Sequence, residues 1–348
     1  LEKIDPNDPI SISRIIISPM EKKKKDIFVE SILNSYNEKN DLFKERVGFS
    51  LFNYFDGIGD YKRACDFLKI SLNILQKKIN YNFKVDKDQF SFLKEVFNKN
   101  FFDKYKNNNS LQNSDKVHFF IVGLHRSGST LLEQMLSMNK SFTSYGELPY
   151  FADLISKHFP NQELNVFKND LLNFDLAKYL HIGEEYKKKI NLKTDYSIDK
   201  MLSNFRMMGL ISVCIPNSIF IHTKRNKNDN LISILSNYYE DNSAPWSYNE
   251  KNLIDYYGEY VALMSHWKSL IGNRIIEIQY EELINKPKEE ISKILNFLKL
   301  KWDDNYLNFT ENNNLVETAS IYQVREKLYN KSIDRWLNYK NYFDQLFK

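Results

Sequence analysis

The sequence predicts an α/β protein in which a parallel sheet flanked by helices follows an all-α N-terminal subdomain. In the later two thirds of the chain, short apolar runs alternate with helical patterns, as they do in parallel sheets. In the first third, apolar residues recur at helical spacing. The polar segment YKNNNSLQNSDK (105–116) separates the two regions. We therefore predict a helical subdomain at 1–100 and a second domain at 117–348.

The composition suits a globular protein of this size. The chain has 348 residues, of which 42% are hydrophobic, enough for a large domain and a small one. Its net charge of +4 does not call for nucleic acid and is compatible with a small anionic ligand. Cys65 and Cys214 are expected to be free core thiols in a reducing compartment, which favours a cytoplasmic protein.

No uninterrupted apolar run is long enough for a transmembrane helix, so we predict no membrane span in this sequence. Because the sequence begins at Leu1 and not at methionine, an upstream signal, anchor or domain stays open.

The N-terminal region contains a predicted helical hairpin. Two apolar-periodic stretches within residues 45–75 are joined by the turn DGIGDY (56–61). This hairpin, with Ala64 in its second helix, resembles a tetratricopeptide unit. One such unit cannot bury both faces alone. A plain helical subdomain and a surface for a protein partner are therefore both open.

The second domain should contain four strands and at least five helices. The predicted strands are VHFFIV (117–122), INLKT (190–194), SIFIHTK (218–224) and RIIEIQ (274–279). The predicted helices lie at about 129–138, 198–213, 228–239, 250–271 and 287–298.

The loop in IVGLHRSGSTLLEQML (121–136) indicates an anion site. It follows the first strand and opens a helix near Ser129, so successive backbone N–H groups converge at a helix N-terminus. Gly128 has no side chain that would block an approaching oxyanion. The predicted anion-binding residues are Arg126, Ser127, Gly128, Ser129 and Thr130.

This P-loop-like turn lacks the features of an ATP site. Ser129 stands where an ATP-type loop has its lysine, and the cation comes earlier, at Arg126. None of the apolar strand patterns ends in an aspartate that would serve as a second metal ligand. We therefore predict an anion that is bound without a metal ion.

The loop resembles the 5′-phosphosulfate loop of sulfotransferases that use 3′-phosphoadenosine 5′-phosphosulfate (PAPS). The resemblance continues, over about residues 117–340, towards the tyrosylprotein sulfotransferase branch and its bacterial tetratricopeptide-fused relatives. The segments that carry it, in order, are YGELPYF, LKTD, FIHTKRNKNDNLISIL, IEIQYEELI and TASIYQVREKLYNKSIDRWLNY.

A second phosphate site is predicted from Arg225 and Ser233. A guanidinium at a strand end and a hydroxyl on the next helix can bind one phosphate together. In the family this pair binds the 3′-phosphate of the nucleotide. One further basic residue of the family is replaced by Asn237.

Glu147, 21 residues after Arg126, is the predicted general base that deprotonates the acceptor hydroxyl. Small-molecule sulfotransferases use a histidine base, so His125 and His222 stay open as alternatives. The family usually has proline where His125 stands.

The resemblance implies further site residues. Lys193, expected at a strand end, matches the family lysine that steadies the bridging oxygen of the leaving group. Ser320 matches the second transition-state stabiliser. Tyr280 and Arg335 match residues that contact the nucleotide.

The sequence therefore predicts a PAPS-dependent sulfotransferase that needs no metal and sulfates a hydroxyl of a peptide, a glycan or a small metabolite. Acceptor choice is expected to depend on loops around 145–190 and 240–250. Two alternatives stay open: a nucleoside-triphosphate kinase or hydrolase, and a non-enzymatic helical-repeat adaptor.

Overall fold

The computed structural model describes residues 5, 7–105, 116–191, 194–240, 242–311, 330–343 and 345–348. The chain divides into two compact units. The first comprises Leu1–Phe83, Lys227–Tyr257 and Lys331–Lys348, and the second comprises Lys84–Asn226 and Gly258–Asn330. The domain bounds predicted from the sequence stay a prediction.

Helices account for most of the regular structure. The α-helices of the described residues are α1 Pro9–Ile17, α2 Lys22–Tyr36, α3 Asp41–Gly57, α4 Tyr61–Lys78, α5 Phe83–Val96, α6 Lys99–Tyr105, α7 Ser129–Leu136, α8 Tyr150–His158, α9 Leu164–Asn173, α10 Leu176–Ile190, α11 Met208–Cys214, α12 Lys227–Leu235, α13 Glu250–Ile271, α14 Tyr280–Asn285 and α15 Pro287–Leu298. Short 3₁₀ helices lie at Leu202–Arg206, Pro245–Tyr248, Gly272–Arg274, Asp304–Glu311 and Arg335–Asn338. Within the parts of the chain that are described, no helix is both long and apolar enough to cross a membrane.

The first unit contains the predicted helical hairpin, formed by α3 and α4. Each helix begins at a side-chain cap: Asn40 accepts from the Phe43 N–H at 2.9 Å, and Asp60 accepts from the Arg63 N–H at 3.1 Å. The two helices approach closely at Gly48, where a Cβ atom would lie 2.1 Å from the Ser71 hydroxyl oxygen. The hairpin is confirmed, and its likeness to a tetratricopeptide unit stays a prediction.

The second unit is built on a five-stranded parallel sheet. Its strands are β1 Val117–Gly123, β2 Phe142–Ser144, β3 Tyr196–Asp199, β4 Ser218–Lys224 and β5 Ile275–Gln279, in the order β2-β3-β1-β4-β5. Every neighbouring pair is parallel. Six of the seven residues of the central strand β1 are buried. The predicted fold class, a P-loop-like parallel sheet flanked by helices with a helical N-terminal region, is confirmed.

Three of the four predicted strands are present, and the prediction for 190–194 was wrong. Helix α10 extends to Ile190 and ends at Asn191, which has a φ of 46° and stops the helix. The strand begins only at Tyr196. The sequence of this strand looks polar because it includes Ser197. This serine can be buried because it forms a 2.8 Å hydrogen bond with His118 Nδ1 on β1. Such pairing cannot be read from local hydropathy.

Helices α5 and α6 continue the helical part of the sequence to Tyr105, the first residue of the polar segment 105–116. The region around 145–190 is more helical than predicted. Helices α8, α9 and α10 occupy most of 145–190, where acceptor loops were expected. The predicted helix at 198–213 was wrong at its start, because β3 ends at Asp199 and α11 begins only at Met208.

Candidate active site

The turn between β1 and α7 is held by its own polar groups. Ser127 donates its hydroxyl to the Leu124 carbonyl oxygen at 2.7 Å, and its Oγ lies 2.7 Å from Thr223 Oγ1 on β4. Arg126 and Gly128 have positive φ angles of 64° and 90°. A positive φ is uncommon for a residue with a side chain, so this turn has a specific backbone shape that the neighbouring hydrogen bonds maintain.

The turn leads directly into the N-terminus of α7. Gly128 is the N-cap residue and, within the described chain, no side chain caps this helix. The first backbone N–H groups of a helix have no partner inside it, and the helix dipole favours negative charge there. Ser129 and Thr130, the first two residues of α7, are buried. The predicted loop therefore has the geometry of an anion site.

Tyr280 and Arg225 border the same turn. A Cβ atom at position 128 would lie 2.4 Å from Cδ2 of Tyr280, so only glycine fits beneath this ring. The Arg225 guanidinium lies over the Tyr280 ring, 4.8 Å from its centroid, and donates to the Arg126 carbonyl oxygen at 3.0 Å. The structure thus brings together predicted donor-site residues from three segments that are far apart in sequence.

Residues of the candidate site come shortly after the carboxyl end of every strand. In an open parallel sheet, ligands bind outside this edge because all the strands point towards it. The residues are Arg126 in the turn after β1, Glu147 after β2, Lys200 after β3, Arg225 after β4 and Tyr280 after β5.

Glu147 and Lys200 form an ion pair at this edge. Lys200 Nζ donates to Glu147 Oε1 at 2.6 Å. The Lys200 side chain is only 2% exposed, whereas that of Glu147 is 46% exposed. An acceptor hydroxyl can therefore reach the carboxylate while the ammonium stays inside the protein.

Main-chain hydrogen bonds fix the position of this pair. The Tyr145 N–H donates to the Ile198 carbonyl oxygen at 2.9 Å, and the Lys200 N–H donates to the Gly146 carbonyl oxygen at 2.8 Å. Pairing between the chains of β2 and β3 thus continues beyond the strands themselves. Gly146, with a φ of 68°, turns the chain just before Glu147.

Lys200 was missed by sequence reasoning. The sequence predicts Lys193 because that residue was expected to end a strand, but the strand ends at Asp199. Lys200 therefore has the position for which Lys193 was selected. Lys193 and Ser320 both lie outside the described residues, and their roles stay predictions.

Two other predicted donor contacts belong to the first unit. Ser233 is buried on α12, and its joint binding of phosphate with Arg225 stays a prediction. Arg335 pairs with Asp56, with 2.9 Å between Nη2 and Oδ2, and lies over the ring of Phe52. Its proposed contact with a nucleotide likewise stays a prediction.

The two alternative bases differ in their surroundings. His222 is buried in β4, where its Nε2 contacts the Tyr260 hydroxyl and its Nδ1 lies 3.7 Å from Glu277 Oε1. Burial lowers the pKa of His222, and the Glu277 carboxylate counteracts this shift. His125 lies in the turn itself, next to Arg126. Of the two alternative bases, His125 belongs to the turn and His222 belongs to a buried strand.

Glu133 is a second carboxylate that sequence reasoning missed. It is buried on α7, where its Oε1 accepts from the Ser144 hydroxyl and its Oε2 lies 3.8 Å from Lys200 Nζ. The signal in the sequence is a charged residue inside the apolar helix STLLEQML. Buried carboxylates need partners, so such a position indicates a nearby cation or hydroxyl.

Metal ligands do not cluster at this site. Across the described residues, no group of three or more His, Cys, Asp or Glu side chains is arranged to hold a metal ion.

A family model described as "Sulfotransferase family" matches residues 118–304, more than half of the chain. The chain belongs to the sulfotransferase family. The matched region contains the turn and the site residue that follows each of the other strands. Ser320 and Arg335 lie beyond it.

Individual proteins resemble this chain at low sequence identity. A protein of Aquifex aeolicus (strain VF5), described as an uncharacterized protein, is 28% identical over 327 residues, which make up 90% of this chain and 42% of that protein. The chain thus spans about two fifths of the length of this relative.

Two solved structures are similar at 16% identity. One is the sulfotransferase domain of the Synechococcus PCC 7002 olefin synthase, with a TM-score of 0.47. The match covers 66% of this chain and 90% of that domain. The other is the sulfotransferase domain from the curacin biosynthetic pathway, with a TM-score of 0.41. This match covers 66% of this chain and 91% of that domain. With TM-scores this low, the two likenesses add no argument of their own.

Proposed function

We propose that this chain transfers a sulfuryl group from PAPS to a hydroxyl group of an acceptor molecule. One observation carries the proposal: an anion-type turn, a half-exposed carboxylate and a buried ammonium meet at the carboxyl edge of one parallel sheet. The turn suits a 5′-phosphosulfate. The Glu147–Lys200 pair suits proton abstraction beside a departing anion.

The residues at the turn fit a donor of this kind. Glycine is needed at position 128, since a larger residue would collide with Tyr280, and it has no side chain that would block an oxyanion at the α7 N-terminus. We propose that Arg126 and the α7 N-terminus bind the 5′-phosphosulfate. Arg225, which borders this turn, would bind the 3′-phosphate.

The chemistry follows from the charges of these side chains. PAPS carries its sulfuryl group on a phosphate through a bridging oxygen. Glu147 accepts the proton of the acceptor hydroxyl as the acceptor oxygen forms its bond to sulfur. The bond between sulfur and the bridging oxygen breaks, and its electron pair stays on the phosphate oxygen. Lys200 and Arg126 stabilise that charge, so we assign to Lys200 the role that the resemblance suggests for Lys193.

Donor binding is the first test of this function. Calorimetry without metal should show that 3′-phosphoadenosine 5′-phosphate binds about 10- to 100-fold more tightly than 5′-AMP, because each charge-assisted hydrogen bond contributes ~1.5–3 kcal/mol. Arg225→Ala should abolish most of this difference. Arg14→Ala, at an exposed position on α1, is the matched control. Equal affinities for the two nucleotides, or binding of ATP that depends on Mg²⁺, would contradict the proposal.

Sulfuryl transfer is the second test. The protein is incubated with sulfur-labelled PAPS and separate pools of peptides, glycans and small metabolites that bear hydroxyl groups. We expect label in one pool, and none in it when Glu147→Gln replaces the wild type. A wild-type protein that binds the donor and labels no pool would refute the transfer activity in all three acceptor classes.

A further inference from the structure

Glu133 is a carboxylate placed where the surroundings do not favour its charge. Every residue of α7 is buried, and Glu133 is 5% exposed. Burial raises the pKa of Glu133, whereas the Lys200 charge and the Ser144 hydrogen bond act to lower it. A buried carboxylate of this kind is retained at a cost unless it is paired. Its partners therefore indicate what it does.

Lys200 lies between two carboxylates of opposite exposure. Glu147 Oε1 is 2.6 Å from Lys200 Nζ and faces solvent, and Glu133 Oε2 is 3.8 Å from Nζ inside the protein. A further titratable group near Lys200, among the described residues, is Asp199, the preceding residue of β3, which accepts hydrogen bonds from the Tyr186 hydroxyl and the Met201 N–H. Glu133 is thus the buried carboxylate whose second oxygen faces the ammonium.

The two carboxylates are needed at different moments. When Glu147 accepts a proton from the acceptor it becomes neutral, and Lys200 loses its nearest counter-charge just as negative charge develops on the leaving group. Glu133 cannot take that proton, because it is buried and its Oε1 is held by Ser144.

We propose that Glu133 is a positioning residue that keeps Lys200 charged and directed towards the site throughout the transfer. This inference rests on the proposed function, in which Glu147 is the base and Lys200 stabilises the leaving group. Glu133 acts through Lys200 and does not touch the reacting atoms. It predicts that removing the Glu133 charge makes Lys200 easier to deprotonate.

The kinetic test compares Glu133→Gln, Ser144→Ala and the wild type over pH 6 to pH 10. In Glu133→Gln we expect kcat to fall by about 10-fold at its optimum, and the alkaline limb of the profile to move at least ~1 pH unit lower. Ser144→Ala removes a hydrogen bond to Glu133 and keeps both charges, so its alkaline limb should stay in place. A purely structural Glu133 would lower thermal stability and leave the limb unmoved, which would overturn the proposal.

A measurement without substrate separates this inference from the proposed function. In protein labelled with ¹³C at the lysine ε-carbon, the Lys200 signal is assigned as the one missing in Lys200→Met. Its titration should move to lower pH in Glu133→Gln, whether or not the protein transfers sulfate. An unchanged titration would refute the role of Glu133 while donor binding still supports the function. If the wild type neither binds the donor nor transfers sulfate, while the Lys200 titration still shifts in Glu133→Gln, the proposed function is refuted and the role of Glu133 is not.

Stability gives an outcome even if Glu133→Gln folds poorly. The double variant Glu133→Gln/Lys200→Met removes both members of the buried pair, so it should unfold at a higher temperature than Lys200→Met alone, in which Glu133 stays buried without its cation. A double variant that is no more stable than Lys200→Met would mean that the two side chains are not coupled, and would overturn the proposal.

Discussion

Two ion pairs, one in each unit, differ in how they bury their charged side chains. In the first unit, Arg335 pairs with Asp56, and their side chains are 17% and 22% exposed. In the second unit, the buried Lys200 pairs with Glu147, which faces solvent. The first pair is closed, because both partners are mostly inside, and the second is open on one side. We infer that the closed pair stabilises the fold and that the open pair serves chemistry.

Glu147→Gln, which breaks the open pair, should have the largest effect on turnover. The amide keeps the size and a hydrogen-bonding oxygen of the carboxylate but cannot accept the proton, so turnover should fall ~10²–10⁴-fold. Thermal stability and affinity for 3′-phosphoadenosine 5′-phosphate should change little. Turnover, melting temperature and affinity are measured on the same preparation. Near-normal turnover would reject Glu147 as the base and direct attention to His125.

Lys200→Met compared with Lys193→Met decides which lysine stabilises the leaving group. If Lys200 stabilises the leaving group, its loss should lower kcat ~10²–10³-fold, the usual effect of losing one such donor. Lys200→Met also leaves Glu133 buried without its cation, so its melting temperature should fall. Single-turnover rates at saturating donor are the measurement. A larger rate loss in Lys193→Met would return the role to Lys193.

Asp56→Asn should affect the closed pair and leave the chemistry alone. Removing one partner of a mostly buried ion pair should lower the free energy of unfolding by roughly 3 kcal/mol. Urea unfolding measures this change, and kcat at 25 °C serves as the second readout. Glu21→Gln, which removes an exposed pair with Lys24, should change stability by less than ~1 kcal/mol. If Asp56→Asn kept full stability and lost turnover, the distinction between the two pairs would be wrong.

Asp199 provides a pH-dependent test of a closed group in the second unit. Burial raises the pKa of Asp199 to about 7, against an ordinary value of 3.8, although its hydrogen bonds oppose the shift. Between these values the folded protein binds a proton that the unfolded chain lacks, so this group makes stability fall as the pH rises from about 4 to about 7. Asp199→Asn cannot titrate. The stability of the wild type relative to this variant should therefore decrease over that interval in urea unfolding. A constant difference would contradict a raised pKa.

The donor side of the site could be predicted because its signals are local. A strand, a glycine turn and a helix start follow one another around Gly128, and Arg225 and Tyr280 come directly after strands with clear apolar patterns. Since parallel strands end at one edge, the sequence alone indicates that these residues meet.

The lysine side could not be predicted in the same way. Strand β3 has only four residues, and two of them, Ser197 and Asp199, are polar groups satisfied by His118 and Tyr186. These partners lie on other elements, so no local pattern identifies the strand. With β3 misplaced, the sequence did not indicate that Lys200 follows the end of this strand. Glu133 was missed for a related reason, because a carboxylate in a buried helix makes sense only once Lys200 is in position.

The main-chain bonds that join Tyr145 to Ile198 and Lys200 to Gly146 have a consequence for inheritance. Because of these bonds, the separation of Glu147 from Lys200 depends on the backbone register. Side-chain changes on distant surfaces do not alter this register. Helices α8 to α10 lie between these two bonded segments in sequence, so they can diverge in shape and composition while the register persists. A lineage can thus vary these helices and keep the Glu147–Lys200 geometry unchanged.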